Sequence, residues 1–181
     1  MEDWARRLAT LGEVVRFDYP YAREGRRRPD SLGVLIAAHR AALEEAQRQQ
    51  RHGGEVILAG KSMGSRVSCH ISLESPVTAL VCFGYPLVSP GGSVRDEVLL
   101  ALRTPILFVQ GTRDPLCPLE KLEGVRRRMK APSTVHAVED GDHSLIVTKK
   151  RLAARGSTQE EIDLAALEAV RAFIDRARAA P

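Results

Sequence analysis

The chain has 181 residues, 44% of them hydrophobic and 28% charged, with a formal net charge of +4. That length supports one domain with a substantial apolar core, and the composition is that of a soluble globular protein. No run of 18 apolar residues exists to cross a membrane, and the opening MEDWARRLATLGE lacks the apolar stretch of a secretory signal.

In chain order, residues 3–11 carry Trp4, Leu8 and Leu11 at helical spacing, with Gly12 as a stop. Residues 13–18 (EVVRFD) predict a strand, and 19–30 (YPYAREGRRRPD) a polar loop with two prolines. A helix is expected from Ser31 to about Arg51, ended by His52-Gly53-Gly54, followed by a strand over 55–59 and a helix from about Met63 to Leu73. A strand over 77–84 leads to a short helix near 94–102, and 105–110 (PILFVQ) reads as a buried strand. The helix at 118–130 has Pro118 at a favourable first position and would bury Leu119, Leu122, Val125 and Met129. A strand over 134–138 comes next, and the last helix opens with the capping box Ser157-x-x-Glu160 and runs to about Ala179. Strands separated by helices argue for βαβ units, hence one α/β domain over 1–181 with a mostly parallel sheet covered on both faces. Such sheets bind ligands beyond the carboxyl ends of their strands, so reactive residues should directly follow strands.

Cys69, Cys82 and Cys117 are odd in number, widely spaced and set in or beside apolar segments, which reads as reduced thiols in a cytoplasm. No metal-ligand spacing appears among Cys and His, and no metal or cofactor is expected. The clusters Arg26-Arg27-Arg28, Arg126-Arg127-Arg128 and Lys149-Lys150-Arg151 would attract anions if they converged. Aromatic residues are only 4% and are not interleaved with them, so solvated faces are expected and no nucleic-acid partner.

The segment VILAGKSMGS ends an apolar run in Gly60-Lys61-Ser62-Met63-Gly64. A Gly-x-Ser-x-Gly between strand and helix forms a sharp turn that exposes the serine hydroxyl, with Gly60 and Gly64 removing side chains that would clash. The Met63 amide, at the next helix N-terminus, would face a developing oxyanion. A serine hydroxyl needs a base oriented by a third group. Asp114 follows the strand at 105–110, and His143 follows the strand at 134–138, in the chain order Ser…Asp…His. His39, His70 and His136 lie within elements rather than after strands. Asp140 and Asp142 are too near His143 in sequence to be the expected acid. The segment GEVILAGKS (54–62) resembles a phosphate-binding loop but has five residues between its glycines instead of four. Its β-forming interior also cannot wrap phosphates with backbone amides. His52-Gly53-Gly54 looks like a lipase oxyanion loop, yet it precedes the serine's own strand and so sits at the opposite end of the sheet.

Taken together, GKSMGSR, CFGYPL, TPILFVQGTRDPLC and GDHSL resemble the α/β-hydrolase family of KAN-L and testis-expressed-30-like proteins, close to the dienelactone-hydrolase-like group, from roughly Trp4 onward. The resemblance implies a three-layer α/β-hydrolase-type sheet with Ser62 as nucleophile, Asp114 as acid and His143 as base. It carries a hydrolase assignment inferred mostly from fold, and its eukaryotic relatives include a chromatin-complex subunit whose role need not be catalytic. Family members also carry an earlier strand whose following loop gives the second oxyanion amide. The chain shows neither, so an N-terminally truncated form of the fold is expected, with Met1 an internal start of a longer working form. Residues 13–18 should then pair directly with 55–59 or leave a gap.

Two functional readings follow. One is a serine hydrolase acting on a small-molecule ester, thioester or lactone, its pocket lined by Tyr85 and by the loop that begins at Tyr19. Arg66, one helical turn beyond Ser62, would then favour acidic substrates or simply be solvated. The other is a non-catalytic hydrolase-like scaffold that binds a partner.

Overall fold

In the computed structural model, which describes residues 2–49 and 54–179, contacts divide the chain into one unit within residues 1–55 and a second within 56–181. The expected helix exit at His52-Gly53 lies outside the described residues.

The second unit is built on four apolar runs that become β1 (Ile57–Lys61), β2 (Ala79–Phe83), β3 (Ile106–Gly111) and β4 (Ser133–Val138). They pair in parallel in the order β1-β2-β3-β4. Strands β2 (ALVCF) and β3 (ILFVQG) are buried at every position, as apolar runs covered on both faces must be. The flanking β1 and β4 are only partly buried. The crossovers pass through α4 (Met63–Ile71), α5 (Glu97–Ala101) and α6 (Leu119–Arg126). All three step the same way across the sheet, and right-handed crossovers of that kind set their helices on one face. Helix α4 packs on β1, β2 and α5. The helix α8 (Gln159–Ala179) packs on β2, β3 and β4 through a stripe that includes Ala166, Leu167, Val170, Phe173 and Ile174.

The first unit holds α1 (Glu2–Leu8), α2 (Pro20–Arg23) and α3 (Leu32–Gln49). Two expectations change here. Residues 13–18 form no strand: a strand exists only where a neighbour completes its ladder, and Val14, Val15 and Phe17 stay 37%, 58% and 38% exposed. The loop at 19–30 contains the short helix α2, opened by Pro20 and pinned where Asp30 accepts the Tyr21 N–H at 3.0 Å and pairs with Arg26 at 2.7 Å. Phe17 and Tyr19 turn to α3, with the Phe17 ring 4.9 Å from that of His39 and the Tyr19 hydroxyl 3.1 Å from His39 Nδ1.

Later differences are local. Helix α6 ends at Arg126, burying Leu122 and Val125 but leaving Leu119 and Met129 half-buried. An unexpected helix, α7 (Lys149–Arg155), forms where Arg151 and Arg155, one turn apart, both pair with Asp140. It ends at Gly156, whose φ of 60° lets Ser157 N–H reach Leu152 O at 3.1 Å. That engages Ser157, so the box at the head of α8 moves one residue on. Glu161 N–H donates to Thr158 Oγ1 at 3.2 Å, and Thr158 N–H donates to Glu161 Oε2 at 2.8 Å. Cys69, Cys82 and Cys117 are buried free thiols. Among the described residues no helix is long and apolar enough to cross a membrane.

Burial pushes the His39 imidazole down to about 4 from its ordinary 6.5. Between those values the unfolded chain binds the extra proton, so stability is present above pH 6.5 and is lost as pH falls toward 4. The full effect is about 3 kcal/mol. Urea unfolding from pH 7 to pH 4 should show a smaller loss of stability for His39→Gln than for the wild type, and parallel curves would remove His39 as the cause.

Candidate active site

Strand β1 ends at Lys61, and Ser62 takes φ 53° and ψ −119° before α4 begins at Met63. A positive φ on a non-glycine residue costs about 1–3 kcal/mol and persists only where its surroundings hold it. Here the Ser62 N–H donates to Phe83 O at 2.9 Å, and its carbonyl accepts the Ser65 N–H at 3.1 Å and the Ser65 hydroxyl at 2.6 Å. A Cβ on Gly60 would lie 2.5 Å from the Ser65 nitrogen, so that glycine is required. Gly64 is different from expectation: a Cβ there would meet nothing within 4 Å.

Asp114 lies three residues past the end of β3 and is 2% exposed. Its Oδ1 accepts the Leu116 N–H at 2.8 Å, and its Oδ2 accepts from Gln110 Nε2 at 2.6 Å. The same Oδ2 stands 2.7 Å from His143 Nδ1, and His143 Nε2 stands 2.8 Å from Ser62 Oγ. Three loops following β1, β3 and β4 therefore meet in one line of hydrogen bonds. A carboxylate only accepts, so the Nδ1 position carries the proton and leaves Nε2 free to accept from the serine hydroxyl.

The His143 loop is closely held. Asp140 N–H donates to Thr112 Oγ1 at 2.8 Å, and Arg113 N–H to Gly141 O at 2.9 Å. Asp142 Oδ1 accepts the N–H groups of Ser144 and Ile146 at 2.7 and 3.0 Å. The two alternative acids thus serve the loop itself, Asp142 by closing its turn and Asp140 by pairing with Arg151 and Arg155. Gly84, with φ 57°, and Gly111 allow this loop to approach, since a Cβ on either would fall under 3.0 Å from its backbone. Lys61 Nζ donates to Ser144 Oγ at 3.0 Å.

Met63 is the first residue of α4, where helical geometry supplies no partner for the N–H. Tyr85 is a correction. It was expected to line a pocket, but it is 0% exposed, because the chain after Gly84 turns inward and its ring packs edge-on against Phe108 at 5.7 Å. Tyr19 lies in the first unit, engaged with His39. Arg66 is half-buried on α4. His70 and His136 are both lowered by burial first, His70 on α4 and His136 within β4. The backbone of residues 57–61 is paired with β2 and is no phosphate cradle.

Gln110 was missed. Buried and 0% exposed, it donates to Asp114 and accepts the Tyr85 N–H at 2.9 Å, fixing the carboxylate from behind. Its signal was present: a polar residue ending the apolar run PILFV, in a strand buried throughout, must have a partner.

The chain matches the family model described as an alpha/beta hydrolase domain over residues 1–175. It is similar to an alpha-beta serine hydrolase homologue from Coxiella burnetii, with a TM-score of 0.68, 20% identity, and coverage of 97% of this chain and 74% of that one. It is also similar to the esterase domain of a Rhodothermus marinus protein, with a TM-score of 0.64, 21% identity, and coverage of 95% and 77%. At such identities the likeness establishes the fold. Among curated proteins, the uncharacterized protein YqkD of Bacillus subtilis is 27% identical over 66 residues, which span 36% of this chain and 22% of that protein.

The two glycines of the pentapeptide should behave oppositely. Gly60→Ala forces backbone apart and should cost at least about 1–3 kcal/mol in thermal or urea unfolding. Gly64→Ala, within α4 and with open space around it, should stabilise by about 0.5–1 kcal/mol. Equal effects would contradict the packing described.

Proposed function

The chain belongs to the alpha/beta hydrolase domain family, and from that premise we propose that it is a serine hydrolase of small-molecule carboxylic esters, thioesters or lactones. The observation that carries this reading is the unbroken line from Ser62 Oγ through His143 to Asp114, at 2.8 and 2.7 Å. Ser62 Oγ attacks the acyl carbon while His143 Nε2 takes its proton and returns it to the leaving oxygen or sulfur. A water then loses its proton to the same nitrogen and hydrolyses the acyl-enzyme. Asp114 holds the imidazole by its Nδ1–H and stabilises the imidazolium, and Gln110 keeps the accepting Oδ2 in place. The Met63 N–H, aided by the positive end of α4, stabilises the oxyanion. Within the family, GKSMGSR, CFGYPL and GDHSL favour a place beside the KAN-L and testis-expressed-30-like group. Three buried free thiols favour a reducing, cytoplasmic compartment.

A fluorophosphonate probe should form an adduct at Ser62 and none in Ser62→Ala. Turnover of p-nitrophenyl acetate should fall by about 10⁶-fold in Ser62→Ala and by about 10⁴-fold in Asp114→Asn. Retained turnover in Ser62→Ala would sink the reading.

A further inference from the structure

Four buried side-chain polar atoms among the described residues lack a hydrogen-bond partner: Arg66 Nε, His70 Nε2, Tyr85 Oη and Arg95 Nε. Folded proteins leave few such atoms unpaired, and these four are neighbours. Arg66 and His70 lie one turn apart on α4, which packs against α5, and Arg95 stands two residues before α5. Arg95 Nη2 reaches back to the carbonyls of Pro86 and Val88, at 2.7 and 3.2 Å, just beyond Tyr85. The charge of Arg66 is felt at His70, Tyr85 and Arg95 alike.

Their chemistry points one way. Among the described residues Arg66 makes no hydrogen bond or ion pair, and Arg95 bonds only to carbonyls. Two half-buried guanidiniums thus lie close enough for one charge to act on the other, an arrangement that self-repulsion and desolvation both oppose. The charges of Glu74 and Glu97 also reach His70, and that of Glu97 reaches Arg95. Burial pushes the Tyr85 hydroxyl well above its ordinary value, so it stays protonated and can donate. Burial, with Arg66, pushes His70 down, so it is neutral near pH 7. Two guanidinium N–H groups and a phenol O–H, all short of an acceptor, make a receptor for a planar or tetrahedral oxyanion.

We propose that Arg66, His70, Tyr85 and Arg95 form a binding site for a small oxyanion, a carboxylate or phosphate group. The site shares its elements with the Ser62 centre: Arg66 is one turn along α4 from Ser62, and Tyr85 follows Gly84, which packs against His143. The anion comes either from the far end of the acyl substrate or from free solution. The first source rests on the hydrolase reading, whereas the site itself does not.

The test uses the full chain carrying Ser62→Ala, so that binding is read without turnover. Titration with inorganic phosphate should raise the melting temperature and move the His70 imidazole titration, followed by NMR, upward by about one unit. Both responses should vanish in Arg66→Gln and in Tyr85→Phe, the latter removing one hydroxyl from a buried ring and so testing the site should the arginine variant fold poorly. In the Ser62-bearing protein, kcat/KM for mono-p-nitrophenyl adipate is compared with that for p-nitrophenyl hexanoate. A ratio that drops about tenfold in Tyr85→Phe identifies the substrate as the anion's source. An unchanged ratio with phosphate still moving His70 identifies a free anion. Phosphate binding with no turnover of either ester keeps the site and removes the hydrolase reading. If millimolar phosphate moves neither His70 nor the melting temperature, and the ester ratio is the same in all variants, water satisfies these four atoms and the proposal is overturned.

Discussion

The imidazole of His143 sits between an oxygen on the β1–α4 turn and a carboxylate beyond β3, with 2.8 Å on one side and 2.7 Å on the other. Bond lengths of that order tolerate only small errors in the relative placement of three loops. That demand explains the sheet beneath them. Parallel strands in the order β1-β2-β3-β4 bring successive carboxyl ends to the same edge, one strand spacing apart. Side chains leaving β1, β3 and β4 can then meet only if the backbone at β2 yields. It does so at Gly84, where the His143 carbonyl occupies the space a Cβ would need. Gly111 makes the same concession to residues 141 and 142.

Strain follows the same geometry. The non-glycine residues with positive φ among those described are Ser62, Asp140 and Leu145, all in the two turns that meet at the imidazole. Such conformations need compensation nearby, and each has it. Ser62 is anchored by β2 and by Ser65. Asp140 is anchored by Thr112 and by two arginines of α7. The Leu145 carbonyl accepts from Gln159 Nε2 at 3.1 Å, while Gln159 Oε1 accepts the Val147 N–H at 3.0 Å. Helices α7 and α8 are therefore more than outer cover, because they brace the loop that carries the imidazole.

Much of this is legible in the chain itself, and for a physical reason. A central parallel strand must be apolar at nearly every position, so ALVCF and PILFVQ announce β2 and β3, and the residues just past such runs stand at the edge where ligands bind. Ser62, Asp114 and His143 are conspicuous because each lies in a loop that follows a strand of this sheet. What stayed hidden depends on tertiary context. Residues 13–18 carry the β-forming Val14, Val15 and Phe17, but pairing, not propensity, makes a strand, and no ladder forms there. Gly64 looks as constrained as Gly60 in the pentapeptide, yet only Gly60 faces backbone. Ser157-x-x-Glu160 and Thr158-x-x-Glu161 are equally good caps on paper. The choice between them was made by Gly156, whose turn had already claimed the Ser157 N–H. Tyr85 sits where a loop residue should see solvent, but the backbone turns inward after Gly84 and spends the ring on the core.

That inward turn ties the two halves of the site together. The Tyr85 backbone N–H is received by Gln110, which in turn donates to the carboxylate facing His143. Its side chain runs the other way, ending in a hydroxyl that feels Arg66 and Arg95. A single residue thus touches the hydrogen-bonded line at the strand ends and stands within the electrostatic reach of Arg66 on α4 and Arg95 before α5. Interiors packed to this density do not deform continuously. Tyr85 is therefore held at its backbone by Gln110 and at its ring by Phe108.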